Sequence, residues 1–245
     1  MFKLKISRLE RDNDGAEWMS AAIFVVGLLI VSFIFVFANT NGVKTGIERG
    51  DMAPDFTALA HLPGNDTSDW FSYRLYENLD FNWSGNHSEG VFTIIEFLDT
   101  DCPYCWETAH KLSSLDTQLT DYGVRDRVQF VIIAVQLNIP GHSTSIEELV
   151  AFQEKLSHPG CNGDSADCST RPGGPHPGVY IDDRSTEIFQ KYGPRGTPHY
   201  MILKPNGVVG WNGMTDSLDQ IGIELANLIC KDGGENQLCT EINGE

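Results

Sequence analysis

Cys102 and Cys105, in the run Cys102-Pro103-Tyr104-Cys105, are the residues of this chain whose type and spacing most directly imply chemistry. Two intervening residues at a helix start let both sulfurs meet in a small disulfide ring. A cysteine facing the free N–H groups and positive dipole end of a helix has its thiolate stabilised. A thiolate is the species that attacks disulfides. CxxC also occurs in zinc sites and by chance, so its setting decides the reading. Residues 91–98, VFTIIEFL, form an apolar, β-branched run interrupted only by Glu96, as in a strand covered on both faces. Pro103 suits the first helical position, where no backbone N–H is required. Trp106, Ala109, Leu112 and Leu115 then recur every three residues on one helix face. A strand, a turn and a helix opening on CPYC predict a dithiol–disulfide redox site. A structural disulfide and half of a metal site are the competing readings.

Three motifs carry a resemblance to a known family. IIEFLDTDCPYC resembles the active-site segment of the thioredoxin superfamily, in which a buried acid precedes the first cysteine by six residues, and Glu96 stands there. The insert in CPYC is similar to that of glutaredoxins. Asp101 occupies the position of the family's usual Trp, and an adjacent carboxylate predicts a less favourable Cys102 thiolate. Gly50-Asp51-Met52-Ala53-Pro54-Asp55-Phe56 resembles the entry of the TlpA/ResA branch of membrane-anchored thioredoxins, and of peroxiredoxins, where it leads into an added N-terminal strand or hairpin. Gly196-Thr197-Pro198-His199, before the apolar run YMIL, resembles the family's cis-proline loop.

The resemblance spans about residues 50–229 and implies an α/β, thioredoxin-like fold, a central mixed sheet flanked by helices. It implies that Pro198 is cis and packs against the CPYC segment. Thr197 and Pro198 would line a groove in which an extended substrate pairs as an added strand. His199 would touch substrate or tune Cys102, and Tyr104 would shape the surface between the cysteines. In the implied mechanism Cys102 attacks a substrate disulfide and Cys105 resolves the mixed disulfide. Glu96 accepts the Cys105 proton, directly or through water. The same residues run backwards oxidise a dithiol. The TlpA/ResA likeness suggests a reductase fed by a membrane electron donor, whereas CPYC and Asp101 are also compatible with an oxidase or isomerase. A peroxiredoxin would show PxxxTxxC, but Thr100 stands two residues before Cys102 and no proline precedes it. A Sco-type copper chaperone would use CxxxC plus a distant His, and the spacing here is CxxC.

The elements that must position this site are organised as follows. Residues 1–18 form a polar N-terminal segment. Residues 19–38, MSAAIFVVGLLIVSFIFVFA, lack any charge. At ~1.5 Å per residue, that length matches a hydrocarbon core of ~30 Å, which predicts a transmembrane helix. Four Lys/Arg precede it and only Lys44 and Arg49 follow closely, so the N-terminus is expected in the cytoplasm and the remainder outside, in a single pass. A cleaved signal peptide and a buried core helix are the alternatives. Residues 39–50 read as a linker, 51–230 as the thioredoxin-like domain with an insertion at about 139–178, and 231–245 as a C-terminal tail.

Within the domain, residues 61–90 read as a hairpin and surface loop whose aromatics cover one side of the core. They hold three glycosylation sequons, at Asn65, Asn82 and Asn86. Residues 127–137 read as the next central strand, 146–156 as an amphipathic helix capped by residues 143–145, 179–181 as a short strand, 185–192 as a helix and 216–230 as the closing helix.

The insertion is poor in apolar residues and contains Cys161 and Cys168. Proximity pairs Cys161 with Cys168, and Cys230 with Cys239, as structural disulfides. Six cysteines on the exported side fit an oxidising compartment. The alternative is a metal site drawn from His142, His158, Cys161, Cys168 and His176. The expectation is no metal and no cofactor beyond the redox-active Cys102–Cys105 disulfide.

The chain has 17 Lys/Arg against 34 Asp/Glu, a net charge of −17. The first 38 residues carry four of each sign, so the remainder bears the whole imbalance. Such a charge argues against nucleic acid and anionic lipid surfaces as partners. The expected partners are exported protein thiols or disulfides, a membrane electron donor or acceptor, and the membrane through one helix.

Overall fold

A computed structural model of the chain describes residues 14–39, 44–137, 142–213, 220–231 and 237–243. The chain divides into two units, Met1–Lys44 and Thr45–Glu245. In the first, the uncharged run lies in a single 26-residue helix, α1 (Asp14–Asn39). Its described side chains, including Ile23, Phe24, Leu29 and Val31, are largely exposed. Those side chains form an unbroken stretch only over residues 22–33, and among the described residues no helix is long and apolar enough to cross a membrane. Most of the predicted N-terminal segment and residues 40–43 of the linker lie outside the described residues.

The second unit is built on a seven-stranded mixed sheet. Its strands in chain order are β1 (Thr57–His61), β2 (Trp70–Arg74), β3 (Phe92–Leu98), β4 (Val128–Val135), β7 (Val179–Asp183), β8 (His199–Leu203) and β9 (Val209–Asn212). Two short strands, β5 (Pro159–Gly160) and β6 (Ala166–Asp167), pair apart from it, with one helical turn, α5 (Cys161–Asp164), between them. The order in the main sheet is β2-β1-β7-β4-β3-β8-β9. β3 lies parallel to β4, which lies parallel to β7, whereas β8 runs antiparallel to β3, and β9 runs antiparallel to β8.

All seven residues of β3 are buried, which explains why its sequence lacks polar alternation. Successive side chains point to opposite faces. Ile94 and Leu98 join Ile132, Tyr200 and Ile202 in one layer, and Ile95 and Phe97 join Ile133, Met201 and Leu203 in the other. Full burial of each such aliphatic or aromatic side chain contributes about 1.5–3 kcal/mol, so the strand that carries the site is firmly held.

The β3–β4 crossover consists of α2 (Pro103–Thr108) and α3 (His110–Asp121). The expected single helix is broken at Ala109, which serves as the end of one and the start of the other. Ala109, Leu112, Leu115 and Leu119 pack on the sheet. α4 (Ile146–Glu154) starts as its sequence predicts, with the Ser145 hydroxyl accepting the Glu148 N–H. α6 (Glu187–Tyr192) buries Ile188 and Tyr192, while Phe189 is half-buried.

β1 and β2 form the hairpin expected from residues 50–56, but its first strand begins at Thr57, ahead of the expected loop. Ala60 and Tyr73 face the core, whereas Phe71 and Phe81 remain exposed, so the aromatics of this region cover the core only in part. Gly207 closes the β8–β9 turn at φ +82°, and a Cβ there would meet Leu79 at 2.6 Å. The closing helix, α7 (Ile221–Ile229), falls within the expected span 216–230, whose first residues, with the rest of 214–219, lie outside those described. A final helix, α8 (Gln237–Asn243), is tied to α7 by the Cys230–Cys239 disulfide, with 5.2 Å between Cα atoms.

Candidate active site

Cys102 caps α2 in extended conformation (φ −73°, ψ 118°), with Pro103 at the first helical position. The turn before it is held by Asp99, whose Oδ1 accepts the Asp101 N–H at 2.9 Å and whose Oδ2 accepts the Leu137 N–H at 2.7 Å. The Cys102 N–H donates to the Asp99 carbonyl at 3.1 Å, and the Trp106 N–H donates to the Cys102 carbonyl at 3.0 Å. Strand β3 therefore delivers its chain into the helix through a turn that Asp99 fixes from both ends. Asp99 is buried, and burial pushes its carboxyl up to about 6.

The two cysteines are reduced and unequal. Cys102 is half-buried and Cys105 is buried. A hydrogen bond from the Cys105 thiol, supported by the N–H groups of Tyr104 and Cys105, brings Cys102 down to about 6 against the opposing effect of its burial. Burial, followed by the neighbouring Cys102, pushes the Cys105 thiol well above the ordinary range. One sulfur is set to ionise and the other to keep its proton.

The expectation that Asp101 would disfavour the Cys102 thiolate is corrected by this geometry. The Asp101 carboxylate turns into the protein, where Oδ1 accepts the Gly163 N–H at 3.1 Å and Oδ2 lies 3.4 Å from His142 Nε2. Burial, then the nearby Glu148, pushes Asp101 up to about 6, which further weakens its charge. The hydrogen bonds at the helix start therefore outweigh it.

The Thr197–Pro198 peptide is cis, as expected. It brings the Thr197 carbonyl to 3.3 Å from Cys102 Sγ, where the thiol donates a bond that the thiolate gives up. Thr197 and Pro198 are half-buried beside the sulfur, and Tyr104 is 69% exposed between the cysteines. His199 departs from its expected place at the groove. It is only 5% exposed, and its ring packs 6.1 Å from that of Phe97. β-strand alternation sends it to the sheet face opposite Cys105, and burial holds it neutral by bringing it down to about 4. Tyr200, one residue on, faces the cysteines instead.

Glu96 is 1% exposed and pairs in register with Tyr200. Burial pushes its carboxyl up to about 7, with Tyr200 and the Arg171 guanidinium pulling only partly in the other direction. Neither Glu96 Oε2 nor the Tyr200 hydroxyl has a formed hydrogen-bond partner among the described residues. Arg171 was not foreseen. It is fully buried, lies 5.0 Å over the Phe152 ring, and donates to the carbonyls of Pro172 and Gly174. Its charge supplies a distant counter-ion to Glu96. A single arginine in a Gly/Pro-rich stretch, RPGG, gives no sequence signal for such a role.

The insertion is docked on this site. Cys161 and Cys168 form the expected disulfide, with Cα atoms 5.3 Å apart. The stapled loop donates its Asn162 N–H to the Thr100 carbonyl at 2.9 Å and its Gly163 N–H to Asp101. The alternative metal set is not assembled, because its cysteines are joined to each other. His176 lies elsewhere, between the Ala109 carbonyl and the Tyr180 hydroxyl.

The central β3, the CxxC at the start of its following helix, the parallel β4, the antiparallel β8–β9 pair and a cis-proline touching the first cysteine decide the architecture. The fold is thioredoxin-like. Solved structures of similar fold include a putative thiol:disulfide interchange protein DsbE from Chlorobium tepidum, with 14% identity, TM-score 0.47, and coverage of 75% of this chain and 99% of that one. They also include thioredoxin peroxidase I of Plasmodium yoelii, with 15% identity, TM-score 0.48, and coverage of 76% and 94%. A third is an uncharacterized conserved protein from Geobacillus kaustophilus, with 18% identity, TM-score 0.48, and coverage of 71% and 72%. No family model matches the chain, and no curated protein matches it.

Proposed function

We propose that this chain is a membrane-anchored, extracytoplasmic thiol–disulfide oxidoreductase that reduces disulfides of exported proteins. The observation that carries the reading is the asymmetry of the two sulfurs, an accessible Cys102 brought down to about 6 beside a buried Cys105 pushed up. The Cys102 thiolate attacks one sulfur of a substrate disulfide, forms a mixed disulfide, and expels the other sulfur as a thiolate. Cys105 then loses its proton to Glu96 and attacks Cys102 Sγ. The second substrate thiolate leaves, and the pair closes as a Cys102–Cys105 disulfide. Two electrons have passed to the substrate, and a membrane donor of two electrons restores the dithiol. Thr197 and Pro198 supply the edge on which an extended substrate segment pairs. The anchor is supported by the uncharged run at residues 19–38, and the oxidising compartment by the two structural disulfides.

The Cys102 acidity supports the reducing direction. Thioredoxin combines a cysteine pKa of about 7 with about −270 mV, and DsbA combines about 3.5 with about −120 mV. A value of about 6 lies nearer the reductant, so a potential closer to about −270 mV than to about −120 mV is expected. Equilibrating the full chain in detergent against glutathione and dithiothreitol buffers should give that potential. A potential near −120 mV would make the chain a disulfide-forming oxidase, and a pair that never cycles would overturn the exchange mechanism.

A further inference from the structure

Beside the cysteines, and outside the exchange mechanism, lies a second group of side chains. His142 Nε2 is 3.0 Å from Glu148 Oε2 and 3.4 Å from Asp101 Oδ2. One ligand atom from each of the three lies within 4.8 Å of the others. Asp101 and Glu148 are almost wholly buried, whereas the His142 side chain keeps 11% exposure and so leaves a path from solvent. The three residues come from separate elements, Asp101 from the turn after β3, His142 from the loop before α4, and Glu148 from α4 itself.

The partners around this trio are those of a ligand set. His142 Nδ1 faces Asp164 Oδ1 at 2.9 Å, so its N–H is spent there and Nε2 is turned toward the two buried carboxylates. A histidine held by a carboxylate at its far nitrogen is the usual second shell of a metal-bound imidazole. Glu148 Oε1 accepts the Thr100 hydroxyl at 2.5 Å, which leaves Oε2 for the centre. Gly160 closes the cradle, since a Cβ there would lie 3.1 Å from His142 Cε1 and 3.5 Å from Glu148 Oε2. With Nδ1–H donating to Asp164, a lone pair on Nε2 would confront two anionic oxygens. Something positive must lie between them, either a proton or a metal ion.

The distances accommodate the ion as well as the proton. Zinc–nitrogen and zinc–oxygen bonds of about 2.0–2.2 Å place tetrahedral ligands about 3.3–3.6 Å apart, within a few tenths of the separations found. One imidazole and two carboxylates suit a borderline cation of the zinc class, and leave a fourth position for water. We propose that Asp101, His142 and Glu148 bind one divalent zinc-class cation, with Asp164 and Thr100 orienting the ligands, at the rim of the CPYC site.

The test uses the full chain in detergent, chelator-treated, with Cys102–Cys105 closed as a disulfide so that no thiolate competes for metal. Titration with Zn²⁺ by calorimetry should show one site per chain. Binding should weaken at least about 100-fold in His142→Ala and Glu148→Gln, and about 10–100-fold in Asp164→Asn, a second-shell change. Asp164 is exposed, with 61% of its side chain accessible, so that variant tests the site even where a buried substitution fails to fold. Bound Co²⁺ should show d–d absorption without a thiolate charge-transfer band. No stoichiometric Zn²⁺ binding by the wild-type disulfide form, or binding indifferent to Asp164→Asn and His142→Ala, would overturn the proposal. The trio would then be an ion pair closed by a proton on His142.

Discussion

Replacing Glu96 by Gln tests the buried acid in two independent ways. Glu96 ionises near its ordinary value of 4.5 when unfolded and at about 7 in the folded protein. Below pH 4.5 it is protonated in both states and exerts no pH-dependent effect. As pH rises from 4.5 to 7, the unfolded chain releases its proton first, and folding is progressively disfavoured. Above pH 7 both states are ionised and the penalty is constant, about 3 kcal/mol for a displacement of this size. Gln keeps the shape and removes the ionisation. The unfolding free energy of Glu96→Gln, measured relative to wild type by urea titration of the reduced full chain, should therefore grow by about 3 kcal/mol between pH 4.5 and 7 and then level. Asp99 and Asp101, which also lie near 6, occur in both proteins and cancel from this difference. The second arm is kinetic. Without an acceptor for the Cys105 proton, decay of the mixed disulfide should slow about 100-fold, and its pH inflection near 7 should vanish. A difference that stays flat across pH would show that Glu96 is not held in a proton-favouring environment. An unchanged decay would remove its role as acceptor.

Two other outcomes follow from the geometry. Alkylation of Cys102 by iodoacetamide should rise with a midpoint near pH 6, so that about nine-tenths is thiolate at pH 7, whereas Cys105 should stay unreactive through neutral pH. A Cys102 midpoint above 8 would show that Asp101 dominates after all. Replacing Cys161 and Cys168 together by Ser should cost about 2.5 kcal/mol of stability from loop closure and also shift that midpoint, because the loop donates to Thr100 and Asp101. Replacing Cys230 and Cys239 should cost a similar amount and leave the midpoint alone.

Much of this site could be read from the chain because its signals are local. The burial of residues 92–98, the helix start at Pro103 and the placement of Cys102 and Cys105 at that helix start all follow from contiguous residue types. The cis peptide at Pro198 was legible only by resemblance, since no local chemistry distinguishes it from other X–Pro bonds. His199 was misplaced for a simple reason. A residue next to the loop looks available, but it is the first residue of β8, and strand alternation sends it to the opposite face. Arg171 and His142 were illegible as partners of the site, because they reach it from the insertion across long sequence separations.

Asp101 shows how the two levels combine. Read in sequence, it is a carboxylate on the residue just before Cys102, and it should raise the cost of a thiolate. In three dimensions its side chain is drawn inward by Gly163 and His142, which the Cys161–Cys168 staple and α4 place behind it. The insertion therefore does more than lengthen the chain between β4 and β7. It converts an unfavourable neighbour of Cys102 into part of a separate polar centre, and leaves the helix-start hydrogen bonds opposed chiefly by the burial of the sulfur. The inward turn of Asp101 thus links the raised acidity of Cys102 to the three-residue cluster, and any change that releases Asp101 from His142 should be felt at the sulfur next door.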